Sequence, residues 1–221
     1  MIHEFESGSL KCTCSVASDA RVAYVLYPMD ILGEWIESAS ARFNTSIVVI
    51  TGMDWQNDLT PWWARGVPSG TPDFDGNAPQ FLRLLTEMII PDVERRLSLH
   101  PTVRDLVGVS LSGLFTLWQW MVCGMFRSIA SLSGSFWYEG FTEWLASRPI
   151  PSGKGSAYIL LGRKEGESPV PQFRTVTDET QRVVDSLCSK GVLTTFDIVP
   201  GNHYQFPIER IERAFTHLYM Q

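Results

Sequence analysis

The chain has 221 residues, 44% of them apolar, which is enough for one sizeable core and too little for two comfortable domains, so a single domain over 1–221 is expected. Charged residues make up 19% and the formal net charge is -6; no basic stripe of the kind a phosphate backbone requires is present, and nucleic acid is excluded as a partner. The opening Met1-Ile2-His3-Glu4-Phe5-Glu6 has neither a basic nor an apolar signal region, and the apolar run 114–122, broken by Thr116 and Gln119, is too short for a membrane span, so neither secretion nor a membrane partner is expected.

Leu10, Cys12, Cys14 and Val16 alternate with polar residues and predict a first strand. The four cysteines, Cys12, Cys14, Cys123 and Cys188, form no Cys-x-x-Cys pair and have no His or acid cluster beside them. They read as small core residues of a protein in a reducing cytoplasm, with no metal site. Val22-Ala23-Tyr24-Val25-Leu26-Tyr27 follows as an almost continuous apolar strand, then a helix around 34–39 and a β-branched strand, Ile47-Val48-Val49-Ile50. Residues 52–77 are irregular and rich in Trp, Pro, Gly and Asp, a loop length that compact domains keep for a functional reason, and they are expected to wall a site. Phe81, Leu84, Leu85, Met88 and Ile89 recur at helical spacing behind Asn77 as cap, with a kink predicted at Pro91.

Leu106-Val107-Gly108-Val109 predicts a buried strand, and 111–123 a helix that begins directly after Ser110. Strands at 129–132, 157–161 and 194–199 alternate with a helix over 174–190 ended by Gly191, and a last helix carries Ile208, Ile211, Phe215 and Leu218. This alternation predicts an α/β class fold, a doubly wound, mostly parallel sheet with helices on both faces.

A strand that ends in small residues, turns sharply at a serine and enters a helix lifts the hydroxyl clear of the sheet edge, as a nucleophile elbow does. Here the pattern is Gly108-Val109-Ser110-Leu111-Ser112-Gly113, with Ser112 where the usual motif has its second glycine. The chain order for such a nucleophile is serine, acid, histidine. Of the histidines after Ser110, His217 lies within the amphipathic last helix, whereas His203 lies in the turn Pro200-Gly201-Asn202-His203-Tyr204 after the last strand and is the expected base. His3 and His100 precede the elbow. Glu165, just past the strand 157–161, is the expected acid, with Glu167 and Glu139 as alternatives. For the oxyanion hole, Leu111 should give one backbone N–H, and the turn after Tyr27, where Pro28 has none, should give the other from Met29 or Asp30, with Met29 chosen.

These stretches resemble the esterase branch of the α/β-hydrolases that includes esterase D, enterochelin-type siderophore esterases and mycolyltransferases. The similarity runs from about Val22 to the C-terminus and includes Asp54-Trp55-Gln56-Asn57-Asp58-Leu59-Thr60-Pro61-Trp62, the elbow, Ser133-Gly134-Ser135-Phe136-Trp137, Leu161-Gly162-Arg163-Lys164-Glu165 and Gly201-Asn202-His203. It implies an α/β-hydrolase fold without a separate lid domain and a Ser-Glu-His triad that cleaves esters or thioesters through an acyl-enzyme, with no metal or organic cofactor. The expected partner is a small-molecule ester, with Asp58 of the Asp-x-x-Pro loop and Trp55, Trp62 and Trp137 as its contacts and Trp63 as a further aromatic candidate. A homo-oligomer is compatible with the sequence. Acyl transfer to an alcohol and a non-catalytic binding role on the same fold are the alternatives.

Overall fold

The computed structural model describes residues 1–18, 20–30 and 32–220. Eight strands form one sheet: β1 Ile2–Ser7, β2 Leu10–Ser15, β3 Arg21–Leu26, β4 Ser46–Thr51, β5 Val103–Val109, β6 Ile129–Leu132, β7 Ser156–Gly162 and β8 Leu193–Val199, in the order β1-β2-β4-β3-β5-β6-β7-β8. From β4 to β8 all neighbours are parallel, whereas β1 and β2 add an antiparallel flank. The helices include α1 Gly33–Phe43, α2 Ala78–Leu84, α3 Ile90–Arg96, α4 Leu111–Val122, α5 Phe141–Ser147, α6 Pro171–Arg174, α7 Val176–Ser189 and α8 Pro207–Tyr219.

The central strands are apolar along their length because both faces are covered. Along β3, Val22, Tyr24 and Leu26 join the core beneath α2 to α5 and α7, while Ala23 and Val25 join the core beneath α1 and α8. The same alternation divides Leu106 from Val107 and Ile159 from Tyr158. All parallel strands therefore deliver their carboxyl ends, and the loops that follow, to one edge of the molecule.

Several expectations are revised. β1 was not anticipated; it pairs with β2 from Ile2 opposite Ser15 to Ser7 opposite Leu10, and its largely exposed side chains lack the apolar run that marks a covered strand. Helix α5 was also unforeseen, since seven residues give hardly two turns of periodicity. A π-helical turn at Leu85–Ile89, just upstream of Pro91, joins α2 to α3. Pro91 has no N–H to donate to the preceding turn, and widening the ladder just upstream lets the helix continue past it. Asn77 makes no side-chain cap; its carbonyl instead accepts the N–H groups of Gln80 and Phe81. Gly191 does take the left-handed conformation, φ 77°, just past the end of α7. Cys12 and Cys14 are buried, but Cys188 is exposed and Cys123 half-buried, so the core reading holds for the first pair alone. No helix among the described residues is long and apolar enough to cross a membrane.

Candidate active site

Ser110 stands between β5 and α4 with φ 58° and ψ -123°, a backbone conformation costly for any residue with a side chain. Its surroundings hold it there. The Ser110 N–H donates to the Leu132 carbonyl at 3.0 Å, and the Ser110 carbonyl accepts the N–H groups of Leu114 at 3.1 Å and Ser135 at 3.0 Å. Gly108 is required by proximity: a Cβ there would lie 2.2 Å from the Ser112 carbonyl oxygen. Ser112 is fully buried, and its hydroxyl accepts the Val109 N–H at 2.7 Å while lying 2.8 Å from the Leu26 carbonyl and 2.9 Å from that of Val109. The serine that replaces the usual glycine thus ties the elbow to the end of β3.

The turn after β8 brings His203 Nε2 to 3.1 Å from Ser110 Oγ, and His203 Nδ1 to 2.8 Å from Glu165 Oε2. An ionised carboxylate can only accept, so Nδ1 carries the proton and Nε2 is left to accept from the serine hydroxyl. Glu165 lies in a 3-10 turn, Glu165–Glu167, after β7 and is buried. Burial favours its neutral form, yet hydrogen bonds from His203, Ser133 and the Gly162 N–H, with the attraction of His203, outweigh that and hold its pKa below the ordinary 4.5. Its other oxygen, Oε1, accepts from the Ser133 hydroxyl at 2.7 Å, the Gly162 N–H at 2.7 Å and Arg210 Nη1 at 2.8 Å. Glu167 is exposed at the cavity rim, and Glu139 borders a neighbouring cavity, so Glu165 alone of the three approaches the imidazole.

A cavity of about 560 Å³ opens over Ser110, lined by Leu111 and His203 and walled by Trp55, Phe74, Trp137 and Phe173. Loop 52–77 contributes Trp55, Gln56, Val67 and Phe74 to this wall. Leu111 opens α4 beside Ser110, at the positive end of the helix. Met29 is exposed and lies outside the lining; its turn is held toward β2 by Lys11, which bonds Asp30 at 2.5 Å. Trp62 and Asp58 are outside it too. Trp62 donates to the Glu139 carbonyl at 3.0 Å and packs among Tyr138, Phe141 and Trp144. Asp58 folds back on its own loop, its carboxylate accepting the Asp54 N–H at 2.8 Å. Trp63 is an exposed surface residue. Among the described residues no group of three or more His, Cys, Asp or Glu side chains is placed to hold a metal ion.

Buried polar residues of the site to which the sequence reading gave no role include Ser133, Ser135 and Arg210. The available signal for Arg210 was its position beside Ile211 and four residues before Ala214, on the stripe that α8 buries.

No protein-family model matches the chain. It is 30% identical over 164 residues to the uncharacterized protein YbbA of Bacillus subtilis, covering 72% of this chain and 66% of that one, a little under two thirds of the relative's length. Among solved structures it is similar to an IroE-like serine hydrolase from Shewanella oneidensis, with a TM-score of 0.78 at 17% identity over 100% of this chain and 80% of that one. The enterobactin hydrolase IroE in complex with DFP matches with a TM-score of 0.76 at 20% identity, over 100% and 95% of the two chains. The siderophore hydrolase EstA from Aspergillus nidulans gives 0.73 at 18%, over 100% and 94%. The chain has the α/β-hydrolase fold. Within that fold, the elbow after β5, the acid turn after β7 and the histidine turn after β8 meet at the carboxyl edge of the sheet, where open α/β sheets bind their ligands.

Proposed function

We propose that the protein is a serine carboxylic-ester hydrolase. The observation that carries this reading is the unbroken hydrogen-bonded line from the buried Glu165 carboxylate through His203 to the Ser110 hydroxyl, which ends in the cavity. His203 Nε2 takes the hydroxyl proton as Ser110 Oγ attacks an ester or thioester carbonyl, and returns it to the leaving alcohol or thiol as the tetrahedral intermediate collapses to an acyl-enzyme. Water, activated by the same imidazole, then releases the acid. Glu165 fixes the tautomer and stabilises the imidazolium. The Leu111 N–H faces the charge that develops on the carbonyl oxygen.

The aromatic wall favours an ester with an apolar or aromatic portion, held against Trp55, Phe74, Trp137 and Phe173. Solved neighbours described as siderophore hydrolases and as a ferulic acid esterase support an ester of that kind over a simple acetate. The direct test is labelling with a fluorophosphonate and locating the adduct by mass spectrometry. Modification of Ser110, with loss of activity on aryl esters, is the expected result; Ser110→Ala protein that hydrolyses esters at the wild-type rate would overturn the reading.

A further inference from the structure

Helix α8 buries a guanidinium at the back of the site. Arg210 is 3% exposed, and its Nη1 donates both to the Ser133 hydroxyl and, at 2.8 Å, to Glu165 Oε1, while Nη2 donates to the Asn202 carbonyl at 2.6 Å. Its Nε has no hydrogen-bond partner among the described residues. Desolvating a guanidinium is costly, and an apolar side chain would seat α8 at least as well, so the packing of the helix does not account for an arginine here.

Its contacts do account for it. Oε1 of Glu165 is taken up by Arg210, Ser133 and the Gly162 N–H, which locks the carboxylate with Oε2 turned to His203 Nδ1. The same guanidinium holds the carbonyl of Asn202, the residue before His203, and so fixes the turn that carries the imidazole. Room for this has been made on the opposite side: a Cβ on Gly162 would lie 2.5 Å from Arg210 Nη2 and 2.7 Å from Glu165 Oε1. Ser133 completes the clamp from the end of β6, held in the left-handed region at φ 52°. The structure assigns Arg210 as a positioning residue, a single fork that sets both the acid and the histidine turn without touching substrate. Its part in turnover depends on the hydrolase reading above; the ordering of the Glu165–His203 bond does not.

The test compares wild type with Arg210→Met, Arg210→Lys, Glu165→Gln and the double variant R210M/E165Q. kcat/KM for a neutral aryl ester is followed across pH, together with the downfield NMR signal of the His203 Nδ1 proton. R210M should lower kcat about a hundredfold through misplacement of the imidazole. It should also move the pH midpoint upward, because a carboxylate no longer shared with a guanidinium holds the His203 proton more strongly. R210K, which restores the charge without the fork, should return the midpoint toward wild type and only part of the rate. In the E165Q background, R210M should cost markedly less than in the wild type, since the acid it orders is already disabled and only its hold on the Asn202 carbonyl remains to be lost. Wild-type kcat and midpoint in folded R210M, or its full loss repeated in the E165Q background, would overturn the assignment. If R210M does not fold, Ser133→Ala decides instead: a rate loss that vanishes in the E165Q background supports the clamp, and an additive loss overturns it. Should Ser110→Ala keep its activity, the hydrolase reading falls, while the His203 Nδ1 proton signal still tests the assignment: weakened in folded R210M it supports the clamp, and unchanged it overturns it.

Discussion

The two sides of the cavity are held in different ways. On one side, Ser110, Glu165 and His203, at or just beyond strand ends, and Arg210 of α8 are joined by directed hydrogen bonds between 2.6 and 3.1 Å. On the opposite side, the wall comes from loop 52–77, the segment after β6 and the short α6, and its side chains meet through ring contacts: Trp137 to Phe173 at 4.7 Å, Phe74 to Tyr138 at 5.4 Å, Phe74 to Trp137 at 6.2 Å. Hydrogen bonds fix orientation and fail when one partner is lost, whereas ring packing fixes shape and gives way by degrees. On the hydrolase reading, one side places atoms and the other admits a class of molecule, and substitutions should separate the two.

The largest effect should come from Ser110→Ala or His203→Ala, each lowering kcat for an aryl ester on the order of a millionfold, with the double variant little worse, because the residues act as one unit. Purified proteins assayed against the same ester check this; additive losses would mean that the two groups serve different steps. Glu165→Gln should cost less, about 10⁴-fold in kcat, as the nucleophile and the oxyanion donors remain. Across the cavity, Trp137→Ala or Phe173→Ala should shift the kcat/KM ratio of a bulky aryl ester to a small acetyl ester by about tenfold and leave kcat for the small ester near wild type. A wall variant that lowered kcat for the acetyl ester as far as Glu165→Gln does would erase the distinction.

Two smaller effects concern stability. Ser112→Ala leaves the half-buried Val109 N–H without its acceptor and should destabilise the fold by about 1–3 kcal/mol in urea unfolding. Glu165 gives the mildest and most specific one. Its native pKa lies below 4.5, so the stability it contributes is fully present above that value and is lost as pH falls from there through the native pKa. The unfolding free energy of Glu165→Gln should therefore fall less steeply than that of wild type over this acid range, and equal slopes would show that the carboxylate is not held ionised.

Much of this was readable from local pattern. Covered strands are continuous apolar runs, and the elbow and the turn after β8 mark themselves by small residues at strand ends, which is why Ser110, Glu165 and His203 could be singled out by chain order. The rest depends on which surfaces meet. Arg210 could not be singled out from the sequence, because only the packing of α8 buries it against the acid turn. Trp62 and Asp58 share a loop with Trp55, but adjacency in sequence does not decide direction: Trp62 turns to α5, an element too short to leave a periodic trace, and Asp58 turns back on Asp54. Met29 was chosen because Pro28 lacks an N–H, a criterion that says nothing of where the turn faces.

The groups that meet at the site come from positions 110, 133, 165, 203 and 210, in an order that matters during synthesis. A nascent chain carries its elbow for roughly the time needed to add another hundred residues, at about 5–20 residues per second, before the His203 imidazole exists. On the hydrolase reading, the serine is chemically silent until the turn that carries it has formed, and esterase activity reports completed docking of α8 rather than formation of the sheet.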